Sequence, residues 1–171
     1  MKKIISLTLL VVCGSAFAQE SKPVGLSARV GLFLPTARAA KNAGKQWFSF
    51  GLDYKLGDIK YAKEGDSSSA SYGVSLDYIS KNDFKVIPVT YTYTVRTQEG
   101  FYYKAGLGIA MTKEPRTGAN PGTDSKTAFA YQFGLGMDVK AISMPSFVEV
   151  KYFGSSRSNL NGLGAFFGVR F

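Results

Sequence analysis

The chain has 171 residues, enough for one domain, with 21 Lys and Arg against 12 Asp and Glu, and a formal net charge of +9. It contains no His, which excludes the common hydrolytic mechanisms that use His as the general base. Its 19 Gly and its aromatic content of 14% favour an all-β fold over a helical one.

The N-terminal 18 residues have the organisation of a cleaved secretory signal. Two lysines precede a short apolar segment at residues 4–12, and a small-x-small cleavage triplet follows at residues 16–18. The apolar segment is too short to cross about 30 Å of hydrocarbon as a helix. We therefore expect residues 1–18 to be removed and residues 19–171 to form the mature domain. Because Cys13 lies inside the signal, the mature domain is expected to contain no disulfide.

The mature domain has the pattern of a series of strands. Apolar residues alternate with small or polar ones over most of its length, and turn residues separate the alternating segments. Most segments have about 9–13 residues, and a tilted strand needs about 9–11 to cross a bilayer. An even number of strands would put both termini on one side, which is the periplasmic side in bacterial barrels. Eight strands are predicted, at residues 24–34, 45–56, 71–80, 84–96, 101–112, 127–140, 146–153 and 163–171.

Two features depart from a regular pattern. Pro88 cannot donate a hydrogen bond to a β-ladder, so we expect irregular pairing near it. The connection at residues 57–70 is long where a short periplasmic turn is expected. A ninth strand at residues 58–63 would place Phe171 on the wrong side of the membrane. We therefore keep eight strands and expect the second and third to extend into this connection.

The two faces of the strands differ in chemistry, and this difference decides the fold class. In the last strand, Phe167, Val169 and Phe171 share a bulky apolar face, and Arg170 lies on the other face. Arg or Lys on a lipid-facing side costs roughly 2–4 kcal/mol near the midplane. An apolar face turned to water would expose a far larger patch than monomers tolerate. The sequence therefore predicts an eight-stranded antiparallel up-and-down transmembrane β-barrel, apolar outside and polar inside.

The inward face carries ten charged residues, six positive and four negative. They are expected to form ion pairs, because unpaired buried charges are costly, and largely to block the lumen of so narrow a barrel. Interior glycines at positions 106, 108, 134, 136, 164 and 168 are expected to make room for the Arg and Lys chains. A packing network without further function is the alternative interpretation. The ten residues are Arg29, Asp53, Lys55, Asp77, Arg96, Lys104, Asp138, Glu149, Lys151 and Arg170.

Two segments resemble a known family. Residues 87–93, which begin Ile-Pro-Val-Thr, and residues 101–108, Phe-Tyr-Tyr-Lys-Ala-Gly-Leu-Gly, resemble the pattern of small bacterial outer-membrane β-barrels of the OmpX/OmpA-like type. Residues 130–138 resemble the sixth strand of that family. The resemblance implies secretion across the inner membrane and a place in the outer membrane. The family includes adhesins, structural tethers and small pores, so it implies no single activity.

The last four residues, Gly-Val-Arg-Phe, resemble the C-terminal signal that the barrel assembly machinery reads in this family. The resemblance implies that Phe167, Val169 and Phe171 carry this signal and that the assembly machinery is a partner.

These observations favour a monomeric, non-catalytic outer-membrane protein with a structural or surface-interaction role. The alternative is a small-solute or ion pore. No catalytic residue, metal site or cofactor is predicted, and nucleic-acid binding is not supported, because much of the net charge lies in the signal or inside the barrel. Basic loop residues are candidates for contacts with lipopolysaccharide phosphates, and a merely solvated surface is an equal alternative. These residues are Arg38, Lys41, Lys45, Lys113, Arg116, Lys126 and Arg157.

Overall fold

The computed structural model describes residues 25–59, 68–116, 122–139 and 144–171. The predicted signal at residues 1–18 lies outside these ranges, as does part of the long connection after the second strand. Among the described residues, no helix is long and apolar enough to cross a membrane.

Eight strands form a closed antiparallel barrel in which each strand pairs with its neighbours in sequence. The barrel closes where the last strand pairs with the first, from Ser27 opposite Arg170 to Pro35 opposite Gly162. This topology confirms the predicted eight-stranded up-and-down fold. The strands are β1 (Leu26–Pro35), β2 (Trp47–Ile59), β3 (Ser69–Lys81), β4 (Phe84–Arg96), β5 (Phe101–Pro115), β6 (Thr123–Val139), β7 (Ser146–Ser155) and β8 (Gly162–Arg170).

The two ends of the barrel differ. We use "terminus end" for the end where β1 begins and β8 ends, and "loop end" for the opposite one. The loop end carries a short helix α1 (Arg38–Ala43) and a single 3₁₀ turn (Ser158–Leu160). The terminus end holds the bulge between Lys55 and Gly57 in β2.

Alternation along the strands sorts side chains as the sequence predicts. Leu107 and Val150 point outward and are 62% and 58% exposed, whereas Arg29 and Glu149 point inward and are 2% exposed. Since successive residues of a strand face opposite sides, this arrangement holds around the whole barrel. The apolar outside and charged inside reverse the arrangement of a soluble barrel.

Strand boundaries differ from prediction mainly at the β5–β6 hairpin. β5 continues to Pro115 and β6 begins at Thr123, because cross-strand pairing persists through polar residues that the sequence pattern assigns to a loop. The expected extension into the 57–70 connection is present, since β2 runs to Ile59 and β3 begins at Ser69.

The irregularity expected near Pro88 is confirmed. Pairing between β3 and β4 stops at Leu76 opposite Val89 and resumes at Ile79 opposite Val86. The interruption lies where Pro88 has no N–H to donate.

Candidate functional site in the barrel interior

Arg29 is the hub of a charged cluster halfway along the barrel. One Nη atom donates to the carboxylate of Asp53 on β2. The other Nη donates to Asp77 Oδ1 on β3 at 2.7 Å and to Ser75 Oγ at 2.9 Å. Glu149 on β7 lies 3.9 Å from Nε. The guanidinium of β1 therefore contacts carboxylates on β2, β3 and β7.

Two lysines complete this cluster. Lys151 Nζ donates to Asp77 Oδ2 at 2.5 Å. Lys104 Nζ donates to Glu149 Oε2 at 2.8 Å and to Asp53 Oδ2 at 3.0 Å. Three positive and three negative side chains thus neutralise one another in a buried space, as buried charges require. These six residues form the "central cluster": Arg29, Asp53, Asp77, Lys104, Glu149 and Lys151.

A second cluster, the "mouth cluster" of Arg96, Asp138 and Arg170, lies at the terminus end. Arg96 Nη1 donates to Asp138 Oδ2 at 2.5 Å, and Arg170 Nη1 lies 2.7 Å from Asp138 Oδ1. Two guanidinium groups therefore share one carboxylate. All three side chains are partly exposed, at 32%, 24% and 21% for Arg96, Asp138 and Arg170.

Tyr102 separates the two clusters. Its hydroxyl donates to Glu149 Oε2 of the central cluster at 3.1 Å. On the mouth side, Arg96 and Arg170 lie 5.3 Å and 5.5 Å from the centre of its ring. Phe147 packs edge-on against the same ring, and the centre of the Phe147 ring lies 4.5 Å from the Arg170 guanidinium carbon. A cavity of about 270 Å³ lies at this mouth, lined by both arginines and both rings.

The loop end of the interior is apolar. Trp47 is fully buried, with its ring centre 5.8 Å from that of Phe33 and 5.4 Å from that of Phe84. Its Nε1 donates to the backbone oxygen of Gly44 at 2.8 Å, which ties the end of α1 to the barrel. We term the buried residues here the "apolar plug": Phe33, Ala40, Trp47, Ile79, Phe84, Val86, Phe153 and Leu160.

Two contributors to the plug come from loops and were missed by the strand pattern. Ala40 of α1 and Leu160 of the 3₁₀ turn are both 0% exposed. Within the loop that leads to β8, Asn161 Oδ1 accepts from the Ser155 backbone N–H at 2.7 Å. The Asn161 backbone oxygen accepts from the Thr36 backbone N–H at 2.8 Å, which fixes this loop beside the end of β1. For Leu160, the signal available in the sequence was a lone apolar residue inside an otherwise polar loop, whereas Ala40 is one of four alanines in its loop and had no such signal.

Nine of the ten charged residues predicted for the interior lie in the central or mouth cluster, six in one and three in the other. Lys55 lies at the mouth and joins neither cluster. Its side chain is 46% exposed, and its Nζ lies 2.7 Å from Asp58 Oδ1. Pairing is regular up to Lys55 and shifts only after it, so Lys55 keeps the inward side of β2 and lines the cavity at the terminus end, where the barrel opens and its side chain is exposed.

The interior glycines serve a different purpose from the one expected. A Cβ at Gly136 would lie 2.2 Å from the Tyr102 ring, and one at Gly168 would lie 2.3 Å from the Phe147 ring. At Gly134, the nearest atom of Glu149 is at an ordinary 3.5 Å. Most of these glycines therefore adjoin aromatic rings or backbone, and the prediction that they house Arg and Lys chains was wrong for them.

The residues predicted to form an assembly signal lie on β8 and just after it. Phe167 points outward and is 42% exposed, and Val169 and Phe171 are half-buried. The Phe171 backbone N–H donates to the Leu26 oxygen at 2.8 Å, so pairing with β1 continues to that residue. Their role in assembly stays a prediction.

Two of the basic residues predicted for loops, Lys113 and Lys126, lie in β5 and β6 instead, because the pairing of these strands continues past them. The basic residues also differ in their surroundings. Arg157 contacts Glu114 at 3.5 Å, and Lys126 contacts Asp124 at 2.9 Å. The basic residues of the first loop, including Arg38 and Lys41, are exposed on and near α1.

The comparisons with known proteins support the fold. No protein-family model matches the sequence, and the comparison with curated proteins finds no significant match. The chain is similar to the N-terminal β-barrel domain of Pseudomonas aeruginosa OprF, with a TM-score of 0.56, 13% identity, and coverage of 88% of this chain and 100% of that one. It also matches Neisserial surface protein A with a TM-score of 0.47, 13% identity, and coverage of 85% and 92%. The expected likeness to small bacterial outer-membrane β-barrels is confirmed at the level of fold.

Proposed function

We propose that this chain is an integral protein of the bacterial outer membrane whose closed, non-catalytic barrel has a structural or surface-interaction role. The observation that carries the proposal is the reversed polarity of the barrel. Large apolar side chains cover the outside, and paired charges fill the middle of the inside. Only an apolar solvent around the strands makes that distribution favourable.

A closed lumen is supported by two successive layers of the interior. The central cluster spans the barrel with ion pairs that join β1, β2, β3, β5 and β7. Beyond it, the apolar plug fills the loop end with fully buried side chains such as Trp47 and Leu160. Water and ions would have to displace both layers to pass, which disfavours the pore alternative.

A non-catalytic role is supported by the chemistry of the interior. The chain contains no His. The central carboxylates of Asp53, Asp77 and Glu149 each contact a lysine or arginine, which holds them as ion-pair partners rather than as free bases.

The loop end is the surface that the proposal assigns to external contacts. Arg38, Lys41 and Lys45 are exposed on and after α1, where lipopolysaccharide phosphates could accept hydrogen bonds from them. Arg157 and Lys126 are weaker candidates, because Glu114 and Asp124 already contact them. The proposed partners are therefore outer-membrane lipid and lipopolysaccharide on one side and, during biogenesis, the barrel assembly machinery.

Two measurements test the proposal. Cell fractionation followed by gel electrophoresis with and without boiling should find the protein in the outer membrane and show a heat-dependent change in mobility. A soluble periplasmic protein with no mobility change would refute the membrane assignment. Conductance of the purified barrel in planar bilayers should stay at baseline. Steady channels of porin size would favour the pore alternative instead.

A further inference from the structure

We infer that the mouth cluster is a binding site for a phosphate group at the terminus end of the barrel. Arg96 and Arg170 are the residues that would hold the ligand. The inference concerns the end of the barrel opposite the basic residues of α1, and it does not depend on the surface role proposed above.

The charge balance of the cavity favours an anion. Lys104 is neutralised within the central cluster, and Lys55 pairs with Asp58. Arg96 and Arg170 share the single carboxylate of Asp138, and no other carboxylate among the described residues lies within ion-pair distance of either. The mouth cluster therefore keeps one positive charge in excess, in a partly enclosed space where charge interactions are stronger than in bulk water.

The two guanidinium groups are held in place by aromatic rings. Arg170 lies over Phe147 and Tyr102, and Arg96 lies over Tyr102. Contacts with a ring face fix a guanidinium without neutralising it and leave its N–H edge available. Each arginine gives one Nη atom to Asp138, so further N–H donors remain on both. A pre-ordered pair of arginine forks suits the several oxygens of a phosphate group.

The site is accessible and has room. Both arginines are partly exposed, and they line the cavity of about 270 Å³ together with the hydroxyl residues Thr92 and Thr94. Tyr102 forms part of the inner side of this cavity beside Lys104 and Asp53 of the central cluster, where Lys104 and Arg29 neutralise the Asp53 carboxylate. A phosphate could come from a soluble compound or from a lipid headgroup, and the experiment must separate the two.

The test uses the folded barrel in maltoside micelles, which contain no phosphate. Titration with inorganic phosphate, followed by the NMR signals of the arginine Nε–H groups, should give saturable shifts. Arg96→Gln and Arg170→Gln should each weaken binding at least about tenfold, since each removes charge-assisted hydrogen bonds. Arg157→Gln is the matched control. It removes a partly buried, ion-paired arginine from the loop end, 27% exposed, and should leave binding unchanged.

A second variant distinguishes loss of phosphate binding from loss of folding. Asp138→Asn removes the shared carboxylate and leaves two uncompensated positive charges at the mouth. It should tighten phosphate binding, a gain that a damaged barrel would not show. The heat-dependent mobility of every variant is recorded alongside, so that unfolding is seen independently of binding.

The ligand source is resolved by adding phosphatidylglycerol to the micelles. Saturable shifts with inorganic phosphate identify a soluble ligand. Shifts that require phosphatidylglycerol and depend on Arg96 and Arg170 identify a lipid headgroup. Absence of saturable shifts with both probes overturns the inference, as does binding that Arg157→Gln weakens as much as Arg96→Gln does.

Discussion

Arg29 reaches Asp77 across the barrel interior, with 2.7 Å between Nη2 and Oδ1, through space that a glycine at position 51 leaves open. A Cβ at Gly51 would lie 2.2 Å from Asp77 Oδ1 and 2.9 Å from Arg29 Nε. The closest ion pair between β1 and β3 therefore depends on the absence of a side chain on β2, the strand between them.

Gly51→Ala should destabilise the barrel by about 1–3 kcal/mol, because the new methyl group must displace a buried ion pair. The free energy of unfolding in urea, measured on the refolded protein in detergent, checks this. Gly122→Ala is the matched control, since a Cβ there would have no atom within 4 Å. Equal stability of the two variants would contradict the steric role of Gly51.

Asp77→Asn should destabilise the barrel by about 3–5 kcal/mol, because it leaves buried cations without their carboxylate. Asp77 contacts both Arg29 and Lys151, and its side chain is 2% exposed. The control Asp58→Asn removes a carboxylate that is 62% exposed and pairs with the exposed Lys55. That change should cost less than about 1 kcal/mol. The same unfolding measurement compares them, and a small effect at Asp77 would mean that the central cluster contributes little to stability.

Trp47→Ala should destabilise the barrel by about 3–5 kcal/mol, because it empties the middle of the apolar plug. Trp47→Phe keeps a ring against Phe33 and Phe84 and loses the hydrogen bond to the Gly44 oxygen. Trp47→Phe should therefore lower the stability of the barrel much less than Trp47→Ala does. Thermal unfolding followed by gel mobility ranks the three proteins, and an alanine variant as stable as the wild type would show that the plug is loosely packed.

Phe171→Ala should lower the amount of folded barrel in the outer membrane, if this residue is part of the proposed assembly signal. The effect should appear in living cells more strongly than in refolding from urea, because recognition by the assembly machinery is bypassed in the test tube. Phe101→Ala is the control, since Phe101 is another aromatic residue at the terminus end, 51% exposed. Immunodetection of boiled and unboiled membrane fractions measures the folded amount. Wild-type levels for Phe171→Ala would count against the signal.

Much of the fold could be predicted from the sequence because a strand repeats every two residues. That period places Arg29, Asp77 and Glu149 on one face and Leu107 and Val150 on the other, before any contact is known. The positions of most strands and the solvent on each of their faces follow from the same local pattern. These properties depend on neighbouring residues in the chain, and the sequence by itself determined them.

The tertiary structure decided which residues meet. The stagger of the closed sheet brings Arg29 to Asp77 and leaves Arg96 and Arg170 to share Asp138, pairings between strands that no local pattern encodes. The tertiary structure also places Ala40 in the apolar plug. Closure of the sheet sets the distance across the barrel and therefore which side chains fit inside it. The ion-pair partners and the apolar plug are determined only when all eight strands are in register.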